Sequence, residues 1–152
     1  MAAPRARFGP ELPAGAPGEG EGARDAVGGL PAARCGPGMS GAQGHRGTVL
    51  SVRLNRSGQY ALTCGKDRLV KLWNPYAGRL IKTYDAHGRE VRDCCVAADN
   101  ARFASVGADR QVFLWDVSTG KTIRRFQGHD FPANAVVFAA DDQLLVTGSD
   151  DR

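Results

Sequence analysis

The sequence is poor in the features that mark several large classes of protein. Aromatic residues make up only 7% of the 152 residues, and no apolar run approaches the roughly 20 residues of a membrane-spanning helix. The N-terminus lacks the apolar core of a secretory signal, and its four acidic residues argue against an organellar transit peptide. These absences predict a protein of the cytoplasm and nucleus that is not tied to a membrane.

Neither sign of charge dominates any part of the chain. Residues 1–40 contain four Arg and four acidic residues, so the net charge of +4 lies in residues 41–152, where no run of like charges occurs. This distribution predicts a solvated, mildly basic surface. Direct binding of nucleic acid is the alternative that the composition favours less.

Cysteine is scarce as well, with four residues at Cys35, Cys64, Cys94 and Cys95. None has the spacing of a zinc finger or of a CxxC redox motif. Free thiols in a reducing compartment are therefore predicted, and nothing in the sequence points to a metal ion or a cofactor.

The first 42 residues differ in composition from the rest of the chain. Residues 1–40 contain nine Gly, nine Ala and six Pro, and too few large apolar side chains to form a core. We expect residues 1–42 to be a disordered tail. Met39 stands just ahead of the patterned region, and the hypothesis that it is the true start residue remains open.

From Gly44 onward the sequence repeats itself with a period of 42 residues. His45, His87 and His129 form one column of this repeat. The other columns are Asp67, Asp109 and Asp151; Thr63, Ser105 and Thr147; Trp73 and Trp115; and Gly78 and Gly120.

Each unit contains short apolar runs separated by turn residues, a pattern typical of β-strands, and no ten-residue stretch has helical periodicity. The predicted strands are 49–54, 60–64, 69–73 and 80–84 in the first unit, 91–96, 103–106, 112–115 and 122–126 in the second, and 135–138 and 144–147 in the third.

The pairs Gly44-His45, Gly128-His129 and Trp115-Asp116 resemble the signature of the WD-repeat (WD40) family, with Ala86 and Asn74 as departures from it. The resemblance implies an all-β, partial β-propeller of about 2.6 four-stranded blades out of seven. The repeat region is then 43–152, divided into repeat 1 (43–84), repeat 2 (85–126) and a truncated repeat 3 (127–152). We therefore expect a fragment that aggregates or is only partly ordered when isolated.

The resemblance also implies a role for the polar columns, namely a chain of hydrogen bonds through Trp, Ser or Thr, His and Asp in each blade. A Ser-His-Asp set can perform acyl transfer, but three copies at one spacing favour a structural device over a catalytic site. No catalytic residue is predicted. The expected structural sets are Trp73, Thr63, His45 and Asp67; Trp115, Ser105, His87 and Asp109; and Thr147, His129 and Asp151.

A binding surface is expected on the rim that carries the loops before each first strand and the turns between second and third strands. Arg68, Arg110 and Arg152 form a column there, which either contacts anionic partners or simply suits the turn. Phe131 is the best single candidate, unless it is buried between blades. The candidates for partner binding are Arg46, Thr48, Lys66, Arg68, Arg89, Glu90, Arg110, Phe131 and Pro132.

The stretch Leu62–Asp93 resembles one subfamily of WD-repeat scaffolds in particular. That resemblance implies a non-catalytic scaffold for protein partners of kinase cascades or of the spliceosome, with no small-molecule substrate. One alternative is a substrate receptor of a ubiquitin ligase, although the Trp-Asp-x-Arg sequence of such propellers is missing after Trp73 and Trp115. Another is a fragment without independent function.

Overall fold

The computed structural model of the protein describes residues 44–151. The predicted disordered tail, the hypothesis about Met39 and the side chain of Arg152 all lie outside these residues.

Ten β-strands make up the regular structure of residues 44–151, a range that contains no helix and so none that could cross a membrane. The strands are β1 (Val49–Leu54), β2 (Ala61–Gly65), β3 (Leu69–Asn74), β4 (Arg79–Asp85), β5 (Val91–Val96), β6 (Arg102–Gly107), β7 (Gln111–Asp116), β8 (Thr122–Gln127), β9 (Ala133–Phe138) and β10 (Leu145–Ser149).

The strands form three antiparallel sheets in which each strand pairs with its neighbours in sequence. Sheet 1 contains β1–β4, sheet 2 contains β5–β8, and sheet 3 contains β9 and β10. Register shifts occur at matching places, for example after Val49 in β1 and, 42 residues later, after Val91 in β5. The prediction of an all-β partial propeller is confirmed.

Several predicted strand ends are wrong by one or two residues, because turn contacts rather than apolarity decide where a ladder starts. Strand β2 begins at Ala61 and not at Tyr60, whose N–H donates to the side chain of Asn55 in the preceding turn. Strand β10 begins after Leu144, whose carbonyl accepts the N–H of Ala139 and closes a turn.

The hydrophobic core lies between the sheets and not within any one of them. Cluster 1 joins sheet 1 to sheet 2, and cluster 2 joins sheet 2 to sheet 3. At the centre of cluster 1, the ring of Tyr84 contacts Phe103 and Trp115 at centroid distances of 4.7 and 5.6 Å. Cys64 and Cys94 are fully buried in this cluster, as expected of packing residues.

One buried carboxylate connects all three sheets. Asp93 in β5 accepts hydrogen bonds from the hydroxyl of Ser51 at 2.7 Å and from the guanidinium of Arg53 at 3.0 Å, both in β1. It also accepts the backbone N–H of Val136 in β9 at 3.2 Å. The innermost strands of the three sheets are therefore held together by one side chain that is 5% exposed.

We expect Asp93→Ala to lower the free energy of unfolding by about 1–3 kcal/mol, because it leaves the hydroxyl of Ser51 and the buried N–H of Val136 without an acceptor. The half-exposed Arg53 can turn to water and adds little. Urea unfolding followed by circular dichroism measures the change. Asp85→Ala removes the same charge from an exposed position, and an equal loss in both variants would contradict the role of Asp93.

Candidate interaction surface and the hydrogen bonds beneath it

A chain of four side chains runs from the interior of sheet 1 to its rim. The indole N–H of Trp73 donates to the hydroxyl of Thr63 at 2.7 Å. The same hydroxyl lies 2.7 Å from Nε2 of His45, and Nδ1 of His45 lies 2.8 Å from the carboxylate of Asp67. Asp67 also accepts the backbone N–H of Arg46, which fixes the loop that precedes β1.

The equivalent chain in sheet 2 is more deeply buried. Trp115 donates to Ser105 at 2.9 Å, Ser105 lies 2.8 Å from Nε2 of His87, and Nδ1 of His87 lies 2.9 Å from Asp109. The side chain of His87 is 1% exposed and packs edge-on against the ring of Phe113 at 4.5 Å.

Sheet 3 contains three of the four groups. Nε2 of His129 lies 2.8 Å from the hydroxyl of Thr147, and Nδ1 lies 2.8 Å from Asp151. The side chains of His129 and Asp151 are 24% and 21% exposed, so water reaches this set more readily than the other two.

The chemistry of the end groups fixes the direction of each chain. An indole N–H can only donate and a carboxylate can only accept. Neutral His87 therefore donates from Nδ1 to Asp109, and Nε2 accepts the hydroxyl proton of Ser105, whose oxygen accepts the N–H of Trp115. Every buried side-chain polar atom in the part of the chain that the structure describes has a partner.

These contacts shift the titration of the carboxyl groups. Burial raises the pKa of Asp67 and Asp109, but hydrogen bonds from the histidine and from backbone N–H groups outweigh it, so each pKa lies below its ordinary value. The pKa of Asp151 is also lowered, chiefly by the hydrogen bond from His129.

The buried position of the Ser-His-Asp set in sheet 2 does not suit nucleophilic catalysis. The hydroxyl of Ser105 is fully buried, accepts from Trp115 and donates to His87, so no face is left for a substrate to approach. Residues 44–151 also contain no group of three or more His, Cys, Asp or Glu placed to hold a metal ion.

Glycine lets the end of β6 approach the loop that carries His87. A Cβ atom at Gly107 would lie 2.6 Å from the carbonyl oxygen of Glu90 and 3.1 Å from Nδ1 of His87. At the equivalent place in sheet 3 stands Ser149, whose hydroxyl donates to the carbonyls of Phe131 and Pro132.

The predicted rim residues all lie on one edge, which is formed by the loops before β1, β5 and β9 and by the β2–β3 and β6–β7 turns. Phe131 is 56% exposed, so the alternative of burial between blades is wrong. Glu90 and Pro132 are half-buried, and Glu90 forms an ion pair with Arg92. The exposed candidates are Arg46, Thr48, Lys66, Arg68, Arg89, Arg110 and Phe131.

Two of these arginines have an unusual backbone conformation. Arg68 and Arg110 have φ angles of 69° and 64°, in the left-handed region that favours glycine, and the N–H of each donates to the carbonyl three residues earlier. A long cationic side chain has no local advantage there. The turn therefore does not explain why arginine occupies this column.

Sequence reasoning missed two structural features beneath this surface. Asp93 falls in a column with Ser51 and Ala135, so it belongs to no repeated motif, although a charge inside an otherwise apolar strand is a detectable signal. The close approach at Gly107 has only a weak signal, the recurrence of glycine at Gly65.

Comparison with known proteins gives a consistent result. A family model described as WD domain, G-beta repeat, matches residues 40–74, 78–116 and 120–152. WD repeat domain-containing protein 83 of Xenopus laevis is 48% identical over 58 residues, which are 38% of this chain and 18% of the relative. The protein of the same name is 48% identical over 60 residues in Homo sapiens (40% and 19%) and 50% identical over 56 in Rattus norvegicus (37% and 18%). The matched stretch thus spans less than a fifth of each relative's length.

We expect His87→Ala to lower the melting temperature, because it strands the hydroxyl of Ser105 and the carboxylate of Asp109 at about 1–3 kcal/mol per group. Each kcal/mol corresponds to about 4–8 °C for a domain of this size. His129→Ala should cost less, since its partners reach water. Differential scanning calorimetry checks both, and equal shifts would contradict the buried network.

The lowered pKa values of Asp67, Asp109 and Asp151 predict acid sensitivity. A folded-state pKa below the unfolded value of about 3.9 stabilises the fold at higher pH, and this stabilisation is lost as the pH falls through the folded values. The melting temperature should therefore fall below about pH 4. Asp109→Asn should show a smaller fall between neutral and acid pH than the parent chain, whereas the exposed control Asp85→Asn should match the parent.

Proposed function

Because the chain belongs to the WD-domain, G-beta repeat (WD40) family, we propose that it is a non-catalytic scaffold that binds proteins through the rim described above. WD-repeat proteins generally act as platforms for protein–protein interaction. The observation that supports the rim is a division of labour among its side chains. The repeated His, Ser or Thr, and Asp residues bond to one another, whereas exposed residues between them are left for partners.

The cations of the rim are available to a partner. Within residues 44–151, the side chains of Arg46, Lys66, Arg68 and Arg89 form no ion pair with a carboxylate. Guanidinium groups bind carboxylate and phosphate oxygens in a bidentate manner. The rim therefore suits protein segments that carry carboxylate or phosphate groups.

An apolar anchor lies beside these cations. The guanidinium of Arg110 donates to the carbonyl of Asp130 at 3.4 Å, which places it next to the exposed ring of Phe131. An exposed aromatic ring beside arginine is a combination enriched at interaction hot spots. A partner segment with an apolar residue next to its acidic groups would use both.

The resemblance of Leu62–Asp93 extends the proposal to partners from kinase cascades and from the pre-mRNA splicing machinery, in the cytoplasm and nucleus. The relatives named WD repeat domain-containing protein 83 support the subfamily but not a particular pathway.

The double variant Arg68→Gly/Arg110→Gly tests the rim without disturbing the fold. Glycine removes left-handed strain of about 1 kcal/mol but adds a similar entropy cost, so the melting temperature should hardly change. Capture of partners from nuclear and cytosolic extracts, quantified by mass spectrometry, should fall severalfold. The matched control Arg56→Gly/Arg79→Ala removes two charges from the opposite edge and should bind like the parent.

Each outcome of the capture experiment has a distinct meaning. Kinases or splicing factors that are lost only from the rim variant support the proposal. Recovery of a ubiquitin-ligase adaptor would favour the substrate-receptor alternative, and recovery of chaperones alone would overturn the scaffold. A partner set unchanged by the rim variant would show that binding uses another surface.

A further inference from the structure

A groove of about 760 Å³ lies between sheet 2 and sheet 3. Val112 and Leu114 of β7 and Phe126 of β8 form one wall, and Leu145 and Thr147 of β10 form the other. The walls are mainly apolar, and the groove is open along the outer edge of β10.

Sheets 1 and 2 show what fills the equivalent space. In sheet 2 the space is occupied by β7, with Trp115 placed between Tyr84 of sheet 1 and Phe103 at centroid distances of 5.6 and 5.7 Å. A shift of 42 residues along the sequence moves Tyr84 to Phe126 and Phe103 to Leu145. The groove therefore presents the two side chains that would hold an indole ring.

The rest of the wall follows the same correspondence. Val70 and Leu72 of sheet 1 are buried against sheet 2 in cluster 1. Their counterparts, 42 residues later, are Val112 and Leu114, which line the groove. The surface that receives a third strand in sheet 2 is thus reproduced in the groove.

Thr147 supplies a specific polar contact. In sheets 1 and 2, Thr63 and Ser105 each accept an indole N–H, at 2.7 and 2.9 Å. The hydroxyl of Thr147 donates to His129, and among the described residues no indole reaches its oxygen. A lone pair on this oxygen can accept a further hydrogen bond.

The backbone of β10 offers the remaining contacts. Within residues 44–151, β10 pairs only with β9, so its outer edge presents N–H and C=O groups in strand geometry. An extended peptide can add to such an edge through main-chain hydrogen bonds, and side-chain pockets then supply the specificity.

We propose that this groove binds an extended segment of a partner protein, which pairs antiparallel with β10 and inserts a tryptophan between Phe126 and Leu145. The tryptophan N–H donates to Thr147. Phenylalanine fills the same space but has no N–H, and this difference gives the site its selectivity. The groove is separate from the rim, so this site and the scaffold proposal stand or fall independently.

A peptide with the sequence of residues 67–75, DRLVKLWNP, is a suitable probe, because it contains a strand that fills this position in sheet 1. Fluorescence anisotropy of the labelled peptide, titrated with the full chain, should show saturable binding of one peptide per chain. Replacement of its tryptophan by phenylalanine should weaken binding about tenfold, the effect of one hydrogen bond.

The variant Thr147→Val completes a double-mutant cycle. It should bind the tryptophan peptide about tenfold less tightly than the parent chain does and no longer distinguish it from the phenylalanine peptide. Thr83→Val, a substitution at an exposed position of β4, should keep the parent's preference. If Thr147→Val does not fold, the two peptides still decide the question on the parent chain.

Hydrogen exchange locates the bound peptide. Slower exchange of the β10 amides on addition of the tryptophan peptide would support the proposal. Absence of saturable binding, equal affinity for the two peptides, or protection confined to the rim would overturn it. A dimer that excludes the peptide would also overturn it and assign the groove to a second copy of the chain.

Discussion

A sheet with two apolar faces has to be covered on both sides, and this requirement governs the whole molecule. Sheet 2 has neighbours on both sides, and its second strand is almost entirely buried. Members of one column can therefore differ completely: Cys94 is fully buried by sheet 1, whereas its counterpart Val52 is 61% exposed. The position of a sheet in the row, and not the residue type, decides what is core and what is surface.

The polar chains serve the same requirement at the rim. An indole, a hydroxyl, an imidazole and a carboxylate bond in one direction only, so they bring the loop before each first strand into contact with the turn after each second strand. Because the repeated residues are used up in this way, the variable residues of the loops point to solvent on a fixed frame. A rigid network beneath variable side chains is a suitable basis for binding.

The period of 42 residues was enough to predict the fold, since β1 and β5 have the predicted bounds and every other strand lies within a few residues of its prediction. The role of Asp93 was not predictable, because its partners lie on two other sheets and its column holds unlike residues. The left-handed backbone of Arg68 was equally hidden, since arginine gives no sign of positive φ. Which rim residues bind partners stays a prediction, because exposure alone does not select among them.

The chain contains two tryptophans, and each lies at the inner end of one complete polar chain. Trp73 is 9% exposed and Trp115 is 2% exposed, so their fluorescence depends on the integrity of sheet 1 and sheet 2 respectively. Sheet 3 contributes no indole and is optically silent. Intrinsic emission therefore follows the opening of the first two sheets, and a difference between this signal and far-ultraviolet dichroism separates the loss of sheet 3 from the collapse of the rest.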